Sequence, residues 1–153
     1  MDKYLAREIA VETDIYASAD RVWKILTDFN QFPNWNPFIK KVEGDLREGC
    51  KLKLSVELPS GKTAIFQPIL TKVVEKSNLI WLSRFIIPGL FDGEHIFEIK
   101  SKGNNIVSFV QRERYSGLFV PLFWKNLEAT ALESFRIMNQ GLKERAEIGR
   151  DII

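Results

Sequence analysis

The sequence runs to 153 residues, 45% of them hydrophobic and 27% charged, which suits one domain with a substantial core and leaves too little chain for two. Its 22 basic and 20 acidic residues leave a formal charge of +2 and are interspersed rather than blocked, so the electrostatic footprint of a nucleic-acid binder is absent. A lone cysteine, Cys50, excludes an intrachain disulfide, and a lone histidine, His95, far from it in sequence makes no metal-ligand cluster; neither a metal nor a cofactor is expected.

The N-terminal stretch MDKYLAREIAVETDIY carries charges every few residues and lacks the apolar segment of a signal peptide. No apolar run reaches membrane-spanning length, and a cytoplasmic protein is expected. Residues 5–16 alternate, with Ile9, Val11 and Ile15 on one side and Glu8, Glu12 and Asp14 on the other, the period of a half-buried strand. Ser18 has the chemistry of an N-cap, with Asp20 in the first turn, for a short helix to Thr27 whose Val22, Trp23, Ile25 and Leu26 form an apolar stripe.

The stretch NQFPNWNPFIKKVEG then packs Phe32, Trp35 and Phe38 around Pro33 and Pro37, which bias the residues before them out of the helical region. At most one further helical turn fits before the chain extends again. Cys50, Leu52, Leu54, Val56 and Leu58 alternate with Lys51, Lys53, Ser55 and Glu57 in a strand over 50–58, turned back by PSGK. Extended segments follow over 63–75, 79–86, 92–100 and 105–115, separated by Lys76-Ser77-Asn78, Pro88-Gly89 and Lys102-Gly103-Asn104. Beyond Pro121, Leu122, Phe123, Leu127, Ala131, Phe135, Met138 and Leu142 recur at helical spacing to Ile148.

Short connections favour antiparallel neighbours. The pattern predicts an α+β domain over residues 1–153: a curved antiparallel seven-stranded sheet wrapped around a long C-terminal helix, with one or two short helices after the first strand. A three-residue hairpin loop at Gly103 would pair Ile99 with Val107, Phe97 with Phe109, His95 with Gln111 and Gly93 with Glu113. That register gathers His95, Gln111 and Glu113 on the concave face, where an ionised Glu113 needs a partner. Arg84, Arg112 and Lys40-Lys41 alternate to the solvent side, and Cys50, with no adjacent base, reads as a small buried hydrophobe. No phosphate-binding Gly loop, nucleophile elbow or metalloprotease motif occurs.

The segments ASADRVWKILTDFNQFPNWNPFIKKVEGDLREG (17–49), LIWLSR (79–84), GEHIFEIK (93–100) and FVQRERYSGLFVPLF (109–123) resemble the START-related, birch-pollen-allergen-like helix-grip (SRPBCC) superfamily, and within it the polyketide cyclase/dehydrase-like branch. The resemblance spans nearly the whole chain and implies a container fold for a small hydrophobic ligand of lipid, polyketide or isoprenoid type. It also places the Trp35-Asn36-Pro37-Phe38 turn as a wedge between the helical pair and the long helix.

On that frame the expected lining comprises Trp81, Phe85, His95, Phe97, Phe109 and Gln111 from the sheet. Glu113, Tyr115, Phe123, Leu127, Ala131 and Met138 complete it. His95 and Glu113 are the candidates for acid/base chemistry, should the protein be a cyclase or dehydratase rather than a binding protein. Leu58-Pro59-Ser60-Gly61 and the apolar segments 86–91 and 117–121 are expected to share one rim, either a cavity mouth or a lip for transient membrane contact or protein docking.

Overall fold

The computed structural model describes residues 6–58, 60–85 and 89–148, the side chain of Phe85 excepted. Strand β1 (Ala6–Ile15) leads into helix α1 (Ala19–Thr27) and a 3-10 helix over Phe29–Asn34. Strands β2 (Ile39–Glu43), β3 (Lys53–Glu57), β4 (Thr63–Phe66), β5 (Ile69–Val74), β6 (Asn78–Phe85), β7 (Phe91–Ser101) and β8 (Val107–Ser116) follow, and α2 (Val120–Glu147) closes the described chain. All pairings are antiparallel.

The fold is the expected α+β arrangement of antiparallel sheet and long C-terminal helix, but the single seven-stranded sheet is not what forms. Among the described residues eight strands make two sheets, β1-β8-β7-β6-β5 and β2-β3-β4. The expected strand over 63–75 breaks at Gln67-Pro68 into β4 and β5, because buried Pro68 has no N–H to give a ladder. Regular pairing of the expected 50–58 strand likewise begins only at Lys53. The sheets remain joined at this corner: Leu52 N donates to the Pro68 carbonyl (2.8 Å) and Leu70 N to that of Cys50 (2.9 Å). Cys50 itself is half-buried.

The wedge expected around Trp35 is present. Buried Asn36 accepts, through Oδ1, the N–H groups of Phe38 and Ile39 (both 2.9 Å), which turns the chain from the helical pair into β2. Phe32 and Trp35 are buried with ring centroids 4.5 Å apart. Facing them, Gly141 of α2 approaches so closely that a Cβ there would lie 2.2 Å from the Trp35 carbonyl oxygen. The C-terminal end of α2 is clamped as well: Arg21 of α1, itself following the Ser18 N-cap, donates through its guanidinium to the carbonyls of Ala146 and Ile148 (2.5 and 2.9 Å).

At its other end α2 departs from expectation. Leu122 and Phe123, read as part of the buried stripe, are 75% and 53% exposed, whereas Ala131, Phe135, Met138 and Leu142 are buried as their spacing predicts. The buried face of α2 runs from Val120 through Ala131 to Leu142, while Leu122 and Phe123 lie at the surface.

Gly141→Ala tests the clamp. At an ordinary helix-interior site that change stabilises by roughly 0.5–1 kcal/mol. Here the methyl meets backbone, and denaturant unfolding should show a loss of about 1–3 kcal/mol. A gain in stability would contradict the close approach.

Candidate functional site

The β7–β8 hairpin decides the site. Its loop occupies residues 102–106, with Gly103, Asn104 and Asn105 all at positive φ, rather than the three-residue loop expected. The register therefore slips by two: Ile99 faces Phe109, Phe97 faces Gln111, and Glu113 faces His95 instead of Gly93. A slip of two keeps every side chain on its expected face and changes only its partner. It creates a concave row of Trp81, His95, Glu113 and Ile9 running across four strands.

His95 is the centre of a buried polar chain. Its Nδ1 lies 3.2 Å from Glu113 Oε2, and its Nε2 lies 2.9 Å from Gln111 Oε1. Gln111 Nε2 donates to Asn139 Oδ1 on α2 (2.7 Å), and Asn139 Nδ2 donates to the Val11 carbonyl (3.1 Å) and Thr13 Oγ1 (3.2 Å) on β1. The direction of this chain is set from its far end. A carbonyl oxygen can only accept, so Asn139 presents Nδ2 to Val11 and Oδ1 to Gln111. Gln111 must then turn Oε1 toward His95, which requires a proton on Nε2.

The remaining ring nitrogen faces a carboxylate oxygen, and two bare lone pairs at 3.2 Å would repel. One proton lies between His95 and Glu113, whether the pair is written as imidazolium with carboxylate or as imidazole with carboxylic acid. Phe97, Phe135 and Trp81 surround the imidazole at centroid distances of 4.5, 5.2 and 5.4 Å, which fixes its ring plane. Such a pair can accept or release one proton at the wall of an apolar space.

That space is a cavity of about 290 Å³ between β6–β7, the small sheet and residues 130–138 of α2. It stands at the low end of small-molecule pockets, roughly 300–1,000 Å³. Of the expected lining residues, Trp81, His95, Phe97, Glu113 and Met138 do face it. Phe109 and Gln111 are fully buried in the sheet beneath; Tyr115 of β8 packs with Leu127 and Ala131 in a separate cluster under the N-terminal half of α2, and Phe123 is exposed, so none of these lines the wall. The Phe85 side chain lies outside the described residues.

Sequence reading missed the opposite wall, made by Phe38 and Ile39, Leu54 and Val56 of β3, and Phe66 of β4, together with Ser83, Thr130 and Ser134. It also missed Asn139, whose signal was available: Asn139 falls four residues after Phe135 and three before Leu142, a polar residue on the buried stripe.

Two roomier grooves lie elsewhere, about 460 Å³ along Trp35 and the Arg136–Glu144 stretch of α2 and about 700 Å³ between the end of α1 and β2. Neither reaches the His95 cluster, and the convergence of apolar wall and buried polar groups selects the smaller cavity. On the convex face Arg112 pairs with Glu8 and Glu98 (both 3.4 Å), while Arg84, Lys40 and Lys41 are exposed.

Of the expected rim, Pro59 and residues 86–88 lie outside the described residues. The Gly117–Phe119 segment packs on Gly89-Leu90, with Leu118 N and Phe119 N donating to the carbonyls of Gly89 (3.2 Å) and Leu90 (3.0 Å). Leu118, Phe119, Leu122 and Phe123 are exposed there. Among the described residues no group of His, Cys, Asp and Glu could hold a metal, and no helix is long and apolar enough to cross a membrane.

The family pattern described as polyketide cyclase/dehydrase and lipid transport matches residues 6–147. No curated protein matches the sequence. Among solved structures, a START superfamily protein from Mycobacterium smegmatis superposes with a TM-score of 0.72 at 22% identity, covering 92% of this chain and 97% of that one. The Zhui aromatase/cyclase from Streptomyces sp. R1128 gives 0.77 at 15% identity over 94% and 95%. The di-domain ARO/CYC StfQ from the steffimycin biosynthetic pathway gives 0.79 at 10% identity, covering 97% of this chain, which spans only 53% of StfQ. At these identities the likeness establishes a shared helix-grip fold.

Tyr115, buried two residues beyond Glu113, titrates far above the ordinary phenol range: burial raises it most, followed by the charge of Glu113 and a hydrogen bond to its carboxylate. The folded state thus keeps a proton that the unfolded chain loses near pH 10, so the contribution is complete below about pH 10 and declines as pH rises. Between about pH 9 and 11 the wild type should lose roughly 1.4 kcal/mol more unfolding free energy than Tyr115→Phe. Equal losses in denaturant titrations would refute the assignment.

Proposed function

This chain belongs to the polyketide cyclase/dehydrase and lipid transport family, and from that premise we propose that it acts as a single ligand-binding domain taking a small hydrophobic molecule of lipid, polyketide or isoprenoid type into the cavity between the sheets and α2. The observation that carries this reading is the cavity itself. Its walls are aromatic and aliphatic, and its one buried titratable pair, His95 and Glu113, is already satisfied by protein partners and therefore stable with or without a guest. The exposed or half-buried lining residues Leu58, Phe66, Thr130 and Ser134 mark where the wall is least covered, between β3–β4 and α2. Entry is proposed there, rather than past the 86–91 and 117–121 loops expected from the sequence.

A second reading is favoured by one contact. His95 Nδ1 and Glu113 Oε2, 3.2 Å apart at the cavity wall, could exchange a proton with a poly-carbonyl guest held folded for ring closure or dehydration. The aromatase/cyclase names of the Zhui and StfQ neighbours make that a reasonable class to assay. Turnover of poly-β-ketone mimics that survives both His95→Ala and Glu113→Ala would remove it, leaving binding alone.

Binding is tested with the neutral fluorescent probe N-phenyl-1-naphthylamine. Wild type should enhance its emission saturably at about one probe per chain. Ser134→Phe, which projects a ring into the cavity from α2, should weaken that binding at least about tenfold while leaving the circular dichroism spectrum unchanged. Equal probe binding by the two proteins would place the ligand elsewhere.

A further inference from the structure

The polar chain beneath the cavity also restricts what chemistry the guest can carry. Both imidazole positions of His95 are committed, Nε2 to Gln111 and Nδ1 to Glu113, so the ring has no free N–H to offer a ligand. Among the described lining residues the carboxylates are Glu113 and Glu57, and there is no lysine or arginine. Glu57 is already matched by Lys40 (3.3 Å), an exposed pair between β2 and β3. The Ser134 hydroxyl spends its proton on the Thr130 carbonyl (2.9 Å). Beside the Ser83 and Thr130 hydroxyls and the Trp81 indole, the cavity thus presents Glu113, a carboxylate that takes His95 and Tyr115 and has lone pairs to spare out of about four hydrogen bonds.

Resting on the binding reading above, we propose that the cavity selects compact apolar molecules bearing a neutral hydroxyl, an alcohol or a phenol, which donates its proton to Glu113, and that it rejects the matching carboxylates. A guest carboxylate would lose its hydration beside Glu113, whose counter-charge is the proton it already shares with His95, and no lysine or arginine lines the cavity to balance the added negative charge. A guest ammonium fares little better. The proton shared with His95 already neutralises Glu113, and a buried cation would remain uncompensated. A hydroxyl adds one hydrogen bond to an ionised or partly ionised acceptor and leaves no charge unpaired. The volume, about 290 Å³, limits the apolar part to a few fused rings or a medium-length chain and leaves no room for a two-tailed lipid.

The test is isothermal titration of the wild-type protein at neutral pH with four matched probes: naphthalene, 2-naphthol, 2-naphthoate and 2-naphthylmethylamine. The expected order has 2-naphthol at least about tenfold tighter than naphthalene and than either ionic probe. Glu113→Gln, nearly the same size, should bring 2-naphthol to within about threefold of naphthalene while naphthalene itself is little changed. Tight binding of naphthalene with no preference for the naphthol, or a preference for naphthoate or the amine, would overturn the selectivity and leave the cavity as a binding site. No binding of any of the four would overturn the binding reading itself, and this one with it.

Discussion

The carbonyl oxygen of Val11 is the fixed point of this protein. It belongs to β1, it can only accept, and through Asn139 and Gln111 it dictates that His95 carries a proton on Nε2 and shares the next one with Glu113. Four elements, β1, α2, β8 and β7, are threaded by this chain of side chains. His95, Gln111 and Asn139 are buried, and a missing partner for any of them would strand a polar group in the core at a cost of about 1–3 kcal/mol. The chain is thus a register lock between helix and sheet as well as the floor of a cavity.

The cavity lies along the middle of α2, between residues 130–138 and the small sheet. At its C-terminal half α2 meets the Trp35 carbonyl across Gly141 and its last carbonyls are held by Arg21, so the packing there is dense. Toward its N-terminus the same helix carries Leu122 and Phe123 to the surface, and the small sheet faces residues 130–138 across open space. Between its two anchored ends lies a volume whose apolar wall comes from β2–β4 and whose polar floor comes from β7–β8, with the orphan-free His95 pair available to a guest without disturbing the fold.

Much of this was legible in the amino-acid order. Period-two alternation identified the concave side of β7 and β8, and it survived a two-residue error in register because parity, not partner, decides the face. The error itself arose where three successive residues, Gly103, Asn104 and Asn105, adopt positive φ, a choice that a Gly-Asn-Asn triplet permits without demanding. Ser18 and the α2 stripe from Ala131 to Leu142 carried local signals strong enough to read directly, whereas the Trp35–Phe38 wedge came from the family resemblance.

The wall from β3 and β4 was not legible, since only the corner at Pro68 folds the small sheet over the large one, and nothing in the alternation of 50–58 says which layer it faces. Asn139 went unread for a different reason: a stripe judged by its apolar members hides the polar residue lying among them.

The chain has one histidine, so its ring nitrogens can be observed without ambiguity. Long-range proton–nitrogen correlation NMR on ¹⁵N-labelled protein at neutral pH asks directly which nitrogen holds the proton. The account requires Nε2 to be protonated, with Nδ1 showing either full protonation or a proton shared with Glu113. A neutral ring protonated on Nδ1 and bare on Nε2 would mean that the chain from Val11 does not run as described, and the polar floor assigned to the cavity would fall with it.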